Sequence, residues 1–345
     1  MTEETVLTVA ELGFPWQTVD PFLFCAHHLD AYPEGDEEMG PATSLAGRNL
    51  GMDFAGKDGW SMYHGQKVPG FPRHPHRGFE TITIARSGYI DHSDSMGAQA
   101  RFGDGDVQWM TAGKGVVHSE MFPLVHRDRP NPTELFQIWL NLPRADKMRD
   151  AYFTMFWNED VPVATFADEA GKKTTVRVIA GALGDTRPSP PPPSSWASRP
   201  ESDVAVWTLK LEPGAQWTAP PASAEATRVF YFFAGDEITL GGKVLQNRHL
   251  AQVVPNASTT IVNHGEAPAE LLMLQGRPIG EPVVQHGPFV MSTAAEIQQT
   301  AMEFQRTGFG GWPFDNDAPV HPRSRGRFAI HADGREENAG PNAGD

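Results

Sequence analysis

Residues 79–121, FETITIARSGYIDHSDSMGAQARFGDGDVQWMTAGKGVVHSEM, decide the fold class of this chain. They contain three short runs rich in Val, Ile, Thr, Phe and Trp, and Gly-containing turn signals separate these runs. The runs are Phe79–Ala85, Val107–Met110 and Val116–Met121, and the turn signals are Ser87-Gly88 and Asp104-Gly105. Short strands divided by regular turns are typical of an antiparallel sandwich or barrel.

Runs of the same kind continue outward from this stretch and fall into two groups. One group ends at Leu142, and the other begins at Thr175. The further runs are Leu135–Leu142, Val176–Ile179, Val204–Leu211, Val229–Phe233 and Ala269–Leu274. The long helical patterns that a doubly wound fold requires between its strands are missing. The sequence therefore predicts an all-β protein with two antiparallel β-barrels in tandem.

One helix is predicted in the C-terminal part of the chain. Thr293 and Glu296 have the spacing of a capping box, and Ile297 and Phe304 fall on one helical face. Gly308 is suited to end the helix, because glycine readily adopts the left-handed backbone conformation there.

The length of 345 residues corresponds to about two domains of ordinary size. We predict an N-terminal metal-binding domain at residues 1–165 and a second barrel without metal, together with the helix, at residues 166–312. The interval Ala145–Lys173 is polar and is predicted to be irregular. Residues 313–345 are predicted to form an irregular or disordered tail, because Gly, Asn and Glu are prominent near their end.

The charge balance bears on the class of partner. The chain has 28 Lys and Arg against 43 Asp and Glu, which gives a formal net charge of −15. Because neutralising nucleic-acid phosphates requires a cationic surface, we expect no direct binding to DNA or RNA. A small-molecule partner and a protein partner both stay open.

The single cysteine, Cys25, excludes an intramolecular disulfide and a Cys-based zinc site. The first residues lack the basic and apolar segments of a secretory signal, and no apolar run has the length of a membrane helix. We therefore expect a cytoplasmic protein without membrane association, with the nucleus also open in a eukaryotic cell.

Two short patterns carry the chemistry. His74 and His76 are two residues apart, as are His118 and Glu120. Residues i and i+2 of a β-strand point to the same face, so two strands lining one barrel can bring all four side chains to one point. Imidazole and carboxylate ligands suit one divalent transition metal with open coordination positions, which indicates chemistry on a small molecule or O2.

A second carboxylate competes for the role of fourth ligand. Glu80 follows His76 by four residues, so in a continuous strand its side chain points inward together with that of His76. Ile82 and Ile84 share this inward orientation, so they are predicted to form an apolar floor beneath the metal. Geometry read from the sequence alone does not choose between Glu80 and Glu120.

Three segments resemble the pirin family: Phe71–Gly97, Gly105–Phe122 and the stretch GPFVMST at Gly287–Thr293. The resemblance implies a bicupin, in which two antiparallel β-barrels pack together and the N-terminal barrel holds one metal. Carried over position by position, the family's ligands fall on His74, His76, His118 and Glu120. The resemblance thus prefers Glu120 and leaves Glu80 to orient a histidine. No separate cofactor-binding residues are predicted.

The same resemblance implies two possible functions. The first is a dioxygenase of the quercetin 2,3-dioxygenase type, acting with O2 on an aromatic enol, with Glu120 as the general base. Iron(II) is the favoured metal, while Mn, Co, Ni, Cu and Zn suit the same ligands. The alternative is a non-enzymatic, metal- and redox-responsive regulator that presents a surface near Arg77, Lys114 or Arg101 to a protein partner.

Two further regions concern the size of the pocket and the second barrel. The chain is longer than a typical pirin before Phe71, and the additional stretch includes Pro41–Gln66, which is expected to cap or narrow the pocket. The strand Thr227–Phe233 in the second barrel carries aromatic side chains where the first barrel has ligands. No metal is therefore predicted in the second barrel.

Overall fold

Antiparallel strands make up most of the regular structure in the computed structural model, which describes residues 5–339. In chain order the strands are β1 (Val6–Glu11), β2 (Phe22–Tyr32), β3 (Gly70–His76), β4 (Phe79–Ser87), β5 (Tyr89–Asp94), β6 (Gln99–Gly103), β7 (Val107–Thr111), β8 (Val116–Met121), β9 (Asn131–Asn141), β10 (Tyr152–Phe156), β11 (Val163–Ala167), β12 (Lys173–Ala180), β13 (Ala205–Leu211), β14 (Gln216–Ala219), β15 (Thr227–Ala234), β16 (Glu237–Leu240), β17 (Lys243–Gln246), β18 (His249–Val253), β19 (Thr259–Asn263), β20 (Ala269–Gly276), β21 (Val284–His286), β22 (Phe289–Met291), β23 (Phe328–Ile330) and β24 (Glu336–Asn338). The helices are α1 (Ala294–Thr307) and the short 3-10 helices Lys57–Gly59, Trp196–Ser198, Pro200–Ser202 and Gly308–Gly310.

The chain forms two compact units. We call them the His-rich unit, formed by Ala26–Asn158 and residues 281–339, and the aromatic unit, formed by residues 5–25 and Glu159–Gly280. The His-rich unit contains a five-stranded sheet in the order β10-β7-β4-β9-β2 and a six-stranded sheet in the order β24-β23-β6-β5-β8-β3. Its apolar core includes Phe102 and Met110.

The aromatic unit is built on the same plan. A seven-stranded sheet runs in the order β1-β18-β15-β20-β13-β12-β11, and a four-stranded sheet runs in the order β14-β19-β16-β17. Its core includes Trp207, Phe230 and Phe232, all almost fully buried. The predicted all-β class, with two antiparallel barrels and a C-terminal helix, is confirmed.

The residue ranges of the two units differ from the predicted domain ranges at both ends of the chain. Strand β1 pairs with β18, so residues near the N-terminus join the aromatic unit. Helix α1, which was predicted within residues 166–312, joins the His-rich unit, where the Arg77 guanidinium donates hydrogen bonds to Thr300 and Glu303 of the helix. Both differences arise from contacts between residues far apart in sequence, which composition does not reveal.

The tail predicted at residues 313–345 contains two short strands in its described part. Strand β23 pairs with β6 and with β24, which extends the six-stranded sheet. Arg101, which forms a two-point ion pair with Asp91, also donates to the carbonyl oxygens of His321, Pro322 and Arg325 at 2.8–2.9 Å. Residues 313–327 contain no regular strand or helix, as predicted for this tail, while β23 and β24 are exceptions because a sheet edge pairs with them. Residues 340–345 lie outside the described residues.

Helix α1 begins and ends as the capping pattern predicts. The Thr293 hydroxyl accepts a hydrogen bond from the Glu296 N–H at 3.2 Å, and Gly308 at the other end has a φ of 55°. Within residues 5–339, none of the helices has the length and apolar character that crossing a lipid bilayer demands.

Candidate metal centre

Two paired strands bring the three predicted histidine ligands together. Strand β3 runs antiparallel to β8 and places His74 directly opposite His118. The ring centroids of His118 lie 4.4 Å from His74 and 4.9 Å from His76, and those of His74 and His76 are 4.8 Å apart. One ligand nitrogen from each ring lies within 4.8 Å of the others. This spacing allows all three imidazoles to reach one ion.

The protonation state of the cluster suits a metal. Burial lowers the pKa of His74 to about 4 and holds the pKa values of His76 and His118 well below the ordinary value. All three rings are therefore neutral near pH 7, and a metal requires the neutral form. The Pro72 carbonyl accepts a hydrogen bond from Nδ1 of His74 at 2.9 Å, which leaves the His74 Nε2 lone pair available.

Unpartnered nitrogens supply a test of whether the site fits a metal. Among the described residues, neither ring nitrogen of the fully buried His118 has a hydrogen-bond partner, nor does Nδ1 of His76. A buried polar atom without a partner loses the hydrogen bonds that water would give it, at a cost of about 1–3 kcal/mol. Coordination of His118 through one nitrogen would remove part of that cost, so the residues present fit a divalent transition metal.

Glu120 stands beside the imidazole cluster. Its Oε2 atom is 3.8 Å from Nε2 of His118. The carboxylate accepts hydrogen bonds from the Thr83 hydroxyl at 3.2 Å and, more weakly, from the Gln137 amide at 3.4 Å. Burial raises the pKa of Glu120, while the charge of nearby His92 and the Thr83 hydrogen bond act in the opposite direction. The carboxylate is thus held at the edge of the cluster as a base stronger than a solvated glutamate.

Glu80 occupies a different position. It is fully buried on β4 and accepts a hydrogen bond from the hydroxyl of Thr111, its neighbour across the sheet, at 2.6 Å. Thr83, which contacts Glu120, is three residues after Glu80 on β4, so the side chains of Thr83 and Glu80 point to opposite faces of the sheet. Glu80 therefore points to the sheet face opposite Glu120. The role of Glu80 in orienting a histidine stays a prediction.

The predicted apolar floor is wrong for the same reason. Ile82 and Ile84 are buried, but they flank Thr83 on β4 and so point away from the face that carries the Glu120 contact. The parity argument fails at Gly78, between β3 and β4. Gly78 has a φ of 86°, and a Cβ there would lie 2.0 Å from the Val290 carbonyl oxygen. This turn resets which residues point inward.

A fourth histidine lies next to the cluster and was missed by the sequence reasoning. His92 on β5 is opposite Glu120 in the register of β5 and β8, and its ring centroid is 5.5 Å from that of His118. Its Nε2 hydrogen-bonds to Asp94 Oδ2 at 3.1 Å. The available signal was the His-x-Asp spacing within a strand, but only the pairing of β5 with β8 brings this pair to the cluster.

A pocket of about 920 Å³ opens beside His74. Residues from the additional stretch and from the C-terminal tail contribute to its lining, among them His64 and Ala318. A groove of about 1080 Å³ on the aromatic unit is lined by Phe166 and Trp217 and contains none of the predicted ligands. We therefore associate the smaller pocket with the candidate metal centre, because it is lined by the predicted ligand His74.

Two of the three cations that the regulator hypothesis places at the surface are buried. Arg77 and Arg101 are 2% and 1% exposed, and each pairs with a carboxylate inside the His-rich unit. Only Lys114 presents its side chain to solvent, with 58% exposed. Of these three side chains, Lys114 is the one that a partner can contact directly, and the protein-partner alternative stays a prediction.

Comparisons with known proteins cover both groups of strands. One family model, described as Pirin, matches residues 10–140, and another, described as Pirin C-terminal cupin domain, matches residues 206–310. A protein of Pseudomonas aeruginosa named "Putative quercetin 2,3-dioxygenase" is 34% identical over 263 residues, which are 75% of this chain and 85% of that protein. Human pirin is 32% identical, and the match covers 72% of this chain and 80% of human pirin.

A solved structure shows the same architecture. The crystal structure of a quercetin 2,3-dioxygenase from Acinetobacter baumannii aligns with a TM-score of 0.70 and 26% sequence identity. The alignment covers 89% of this chain and 98% of that chain. The fold similarity therefore extends over nearly the whole length of both proteins.

Proposed function

Since this chain belongs to the pirin family, we propose that it is a metal-dependent dioxygenase that opens the enol-bearing ring of a flavonol-like substrate with O2. The observation that carries the proposal is the cluster of neutral imidazoles formed by His74, His76 and His118, within 4.8 Å of one another. A relative and a structural neighbour that are named for quercetin 2,3-dioxygenase activity support the same reaction class.

In this proposal His74, His76 and His118 hold one divalent transition metal, which we take to be iron(II), and Glu120 is the predicted fourth ligand. When bound, such an ion lowers the pKa of a coordinated hydroxyl group and brings substrate and O2 to one centre. Mn, Co, Ni, Cu and Zn suit the same donor set, because imidazole and carboxylate ligands discriminate weakly among these ions.

Glu120 acts as the general base. Its Oε2 atom faces His118 at 3.8 Å, so it accepts the proton of the substrate's enol hydroxyl at the edge of the cluster. Hydrogen bonds from Thr83 and Gln137 keep the carboxylate in place. Burial raises the Glu120 pKa, which favours proton uptake. The overall reaction consumes one O2, places both of its oxygen atoms in the ring-opened product and releases the enol carbon as CO.

The test measures turnover together with metal content. Protein loaded with iron(II) under argon is mixed with quercetin in air-saturated buffer, and loss of the flavonol absorbance and formation of CO are followed. We expect turnover by the wild type and loss of both bound ion and turnover in His118→Ala. The control His249→Ala, changed on β18 of the aromatic unit, keeps both. A fully metal-loaded wild type that does not consume quercetin would overturn the proposal.

A further inference from the structure

The pocket beside His74 has one wall made of aromatic rings. Phe71 stacks on Tyr63 with ring centroids 5.1 Å apart and meets the edge of His64 at 5.7 Å. His74 continues this wall, with its ring centroid 6.4 Å from that of Phe71. We call the space lined by His64, Val68, Phe71, His74 and Ala318 the outer pocket. Its aromatic surface leads directly to one of the three clustered imidazoles.

Hydrogen bonds, buried at Tyr63 and exposed at His64, hold the aromatic wall in position. The Tyr63 hydroxyl donates to Asp30 at 2.7 Å and accepts from Nδ1 of His28 at 2.9 Å. The Gly51 carbonyl accepts a hydrogen bond from Nδ1 of His64 at 2.7 Å. Since these bonds fix the wall before a ligand arrives, binding costs little additional ordering.

The C-terminal tail supplies the facing part of the lining. Asn316, Asp317, Ala318 and Val320 all contribute to it. The Arg73 N–H donates to the Asp317 carbonyl at 2.7 Å, and the Arg73 guanidinium forms an ion pair with the Asp317 carboxylate at 3.0 Å. The tail is therefore tied to strand β3, two residues after Phe71 and one residue before His74.

The charges around the outer pocket are balanced. Lys67 pairs with Glu38 at 3.1 Å, and Arg73 pairs with Asp317. These pairs leave little net charge to attract a strongly anionic or cationic ligand. The remaining lining is largely aromatic and aliphatic, which is the composition that neutral aromatic ligands prefer.

We propose that the outer pocket binds the aryl ring of the substrate that is remote from its reacting enol, and that His64 and Phe71 supply the aromatic contact. This inference rests on the proposed function, because it names the part of a planar, uncharged aromatic substrate that the dioxygenase recognises. The pocket volume of about 920 Å³ lies within the usual range for small-molecule sites. His74 belongs to both the outer pocket and the imidazole cluster, so one elongated substrate reaches both.

The experiment uses flavone, a planar 2-phenylchromone that lacks the 3-hydroxyl group and so cannot form the enolate. Its affinity for the metal-loaded full-length protein is measured by titration, separately from quercetin turnover. We expect His64→Ala to weaken flavone binding three- to tenfold, the effect of losing one aromatic contact. His64→Phe restores the affinity, because it restores a ring at this exposed position.

A second variant tests the pocket by filling it. Ala318→Trp places a large side chain in the facing lining, and we expect flavone affinity to fall more than tenfold. His286→Ala, changed at an exposed histidine on β21, is the matched control and leaves affinity unchanged. All variants keep the bound metal, because none of the substituted residues belongs to the imidazole cluster.

The outcomes separate the two proposals. Equal flavone affinity in the wild type, His64→Ala and Ala318→Trp overturns the outer pocket, even if quercetin is consumed. Flavone binding that depends on His64 and Ala318, without any quercetin turnover, supports the outer pocket and overturns the dioxygenase.

Discussion

The carboxylate of Glu120 is confined by three neighbours, Thr83, Gln137 and His118, at the edge of the imidazole cluster. Glu80, in contrast, bonds to Thr111 on the opposite face of β4. We expect Glu120→Gln to lower quercetin turnover at least about a hundredfold, the usual effect of removing a general base. Glu80→Gln leaves turnover within about tenfold of the wild type, because its amide oxygen still accepts from Thr111. Comparable losses in both variants would contradict the assignment of Glu120.

Lys147 makes the stability of the protein depend on pH. Its ammonium group donates to the Gly78 carbonyl at 2.8 Å and to Asn141 Oδ1 at 2.6 Å. Burial lowers the Lys147 pKa to about 8, although Glu281 and Glu296 oppose the shift. Between pH 8 and 10.5 the unfolded chain therefore binds more protons at this residue than the folded chain, so the free energy of unfolding rises with pH.

The matching measurement compares the wild type with Lys147→Met by urea denaturation from pH 7.5 to 10.5. We expect the wild type to gain up to about 3 kcal/mol relative to the variant across this range, because one pKa unit corresponds to about 1.4 kcal/mol. Parallel pH profiles for the two proteins would show that Lys147 titrates normally in the folded state.

Cys25 is predicted to be unreactive while the protein is folded. Its side chain is fully buried, and burial raises the thiol pKa far above the ordinary value. Since the thiolate is the reactive form, a disulfide reagent at pH 8 should label the native protein only at the rate of local opening. One thiol per chain should react after unfolding in guanidinium chloride. Rapid labelling of the native protein would show that Cys25 is accessible.

At the level of elements, the turn before β8 requires glycine at residue 115. Gly115 has a φ of 129°, and a Cβ there would lie 2.7 Å from the ring of Phe309. The same ring lies beneath the guanidinium of Arg77 at 4.3 Å. The turn, the residue after His76 and the segment that follows α1 therefore pack at one point.

We expect Gly115→Ala to destabilise the protein more than Gly97→Ala does. Gly97 also has a positive φ, of 82°, but nothing lies within 4 Å of its Cβ position. The control thus carries the backbone strain alone, while Gly115→Ala adds a clash. The free energies of unfolding obtained from denaturant titrations should differ by at least about 1 kcal/mol. Equal free energies would mean that Phe309 moves aside without cost.

The strands that the sequence predicts best are those with the strongest β-type composition. Phe79–Ala85 and Val116–Met121 lie within β4 and β8. The interval Ala145–Lys173, in contrast, was predicted to be irregular, yet it contains β10 and β11. Strand β10 pairs with β7, so its stability comes from a neighbour about 40 residues earlier in the chain rather than from its own composition.

At the scale of the whole molecule, a bound metal should stabilise the His-rich unit. If the cluster holds the proposed metal, iron(II) added under argon should bind the folded cluster but not the unfolded chain, and such binding raises the stability of the structure that holds the ion. We expect hydrogen exchange to slow in β3 and β8, while β13 and β20 of the aromatic unit show no change. His118→Ala should abolish the effect. Slower exchange confined to β13 and β20 would place the ion elsewhere.

The sequence by itself determined the residue types of the site and their arrangement within each strand. The spacing of His74 and His76, and of His118 and Glu120, follows a period of two that every β-strand imposes locally. The same local rule, with turn residues and a capping box, predicted two barrels and helix α1. The three blocks that resemble pirins added the preference for Glu120.

Only the tertiary structure decided which strands are neighbours and which faces meet. It placed His92 beside His118, turned Ile82 and Ile84 away from the cluster and brought residues 281–339 into the His-rich unit. These features depend on contacts between residues distant in sequence and on the turn at Gly78. Local periodicity ends at such a turn, so the register across it is fixed by packing of the whole unit.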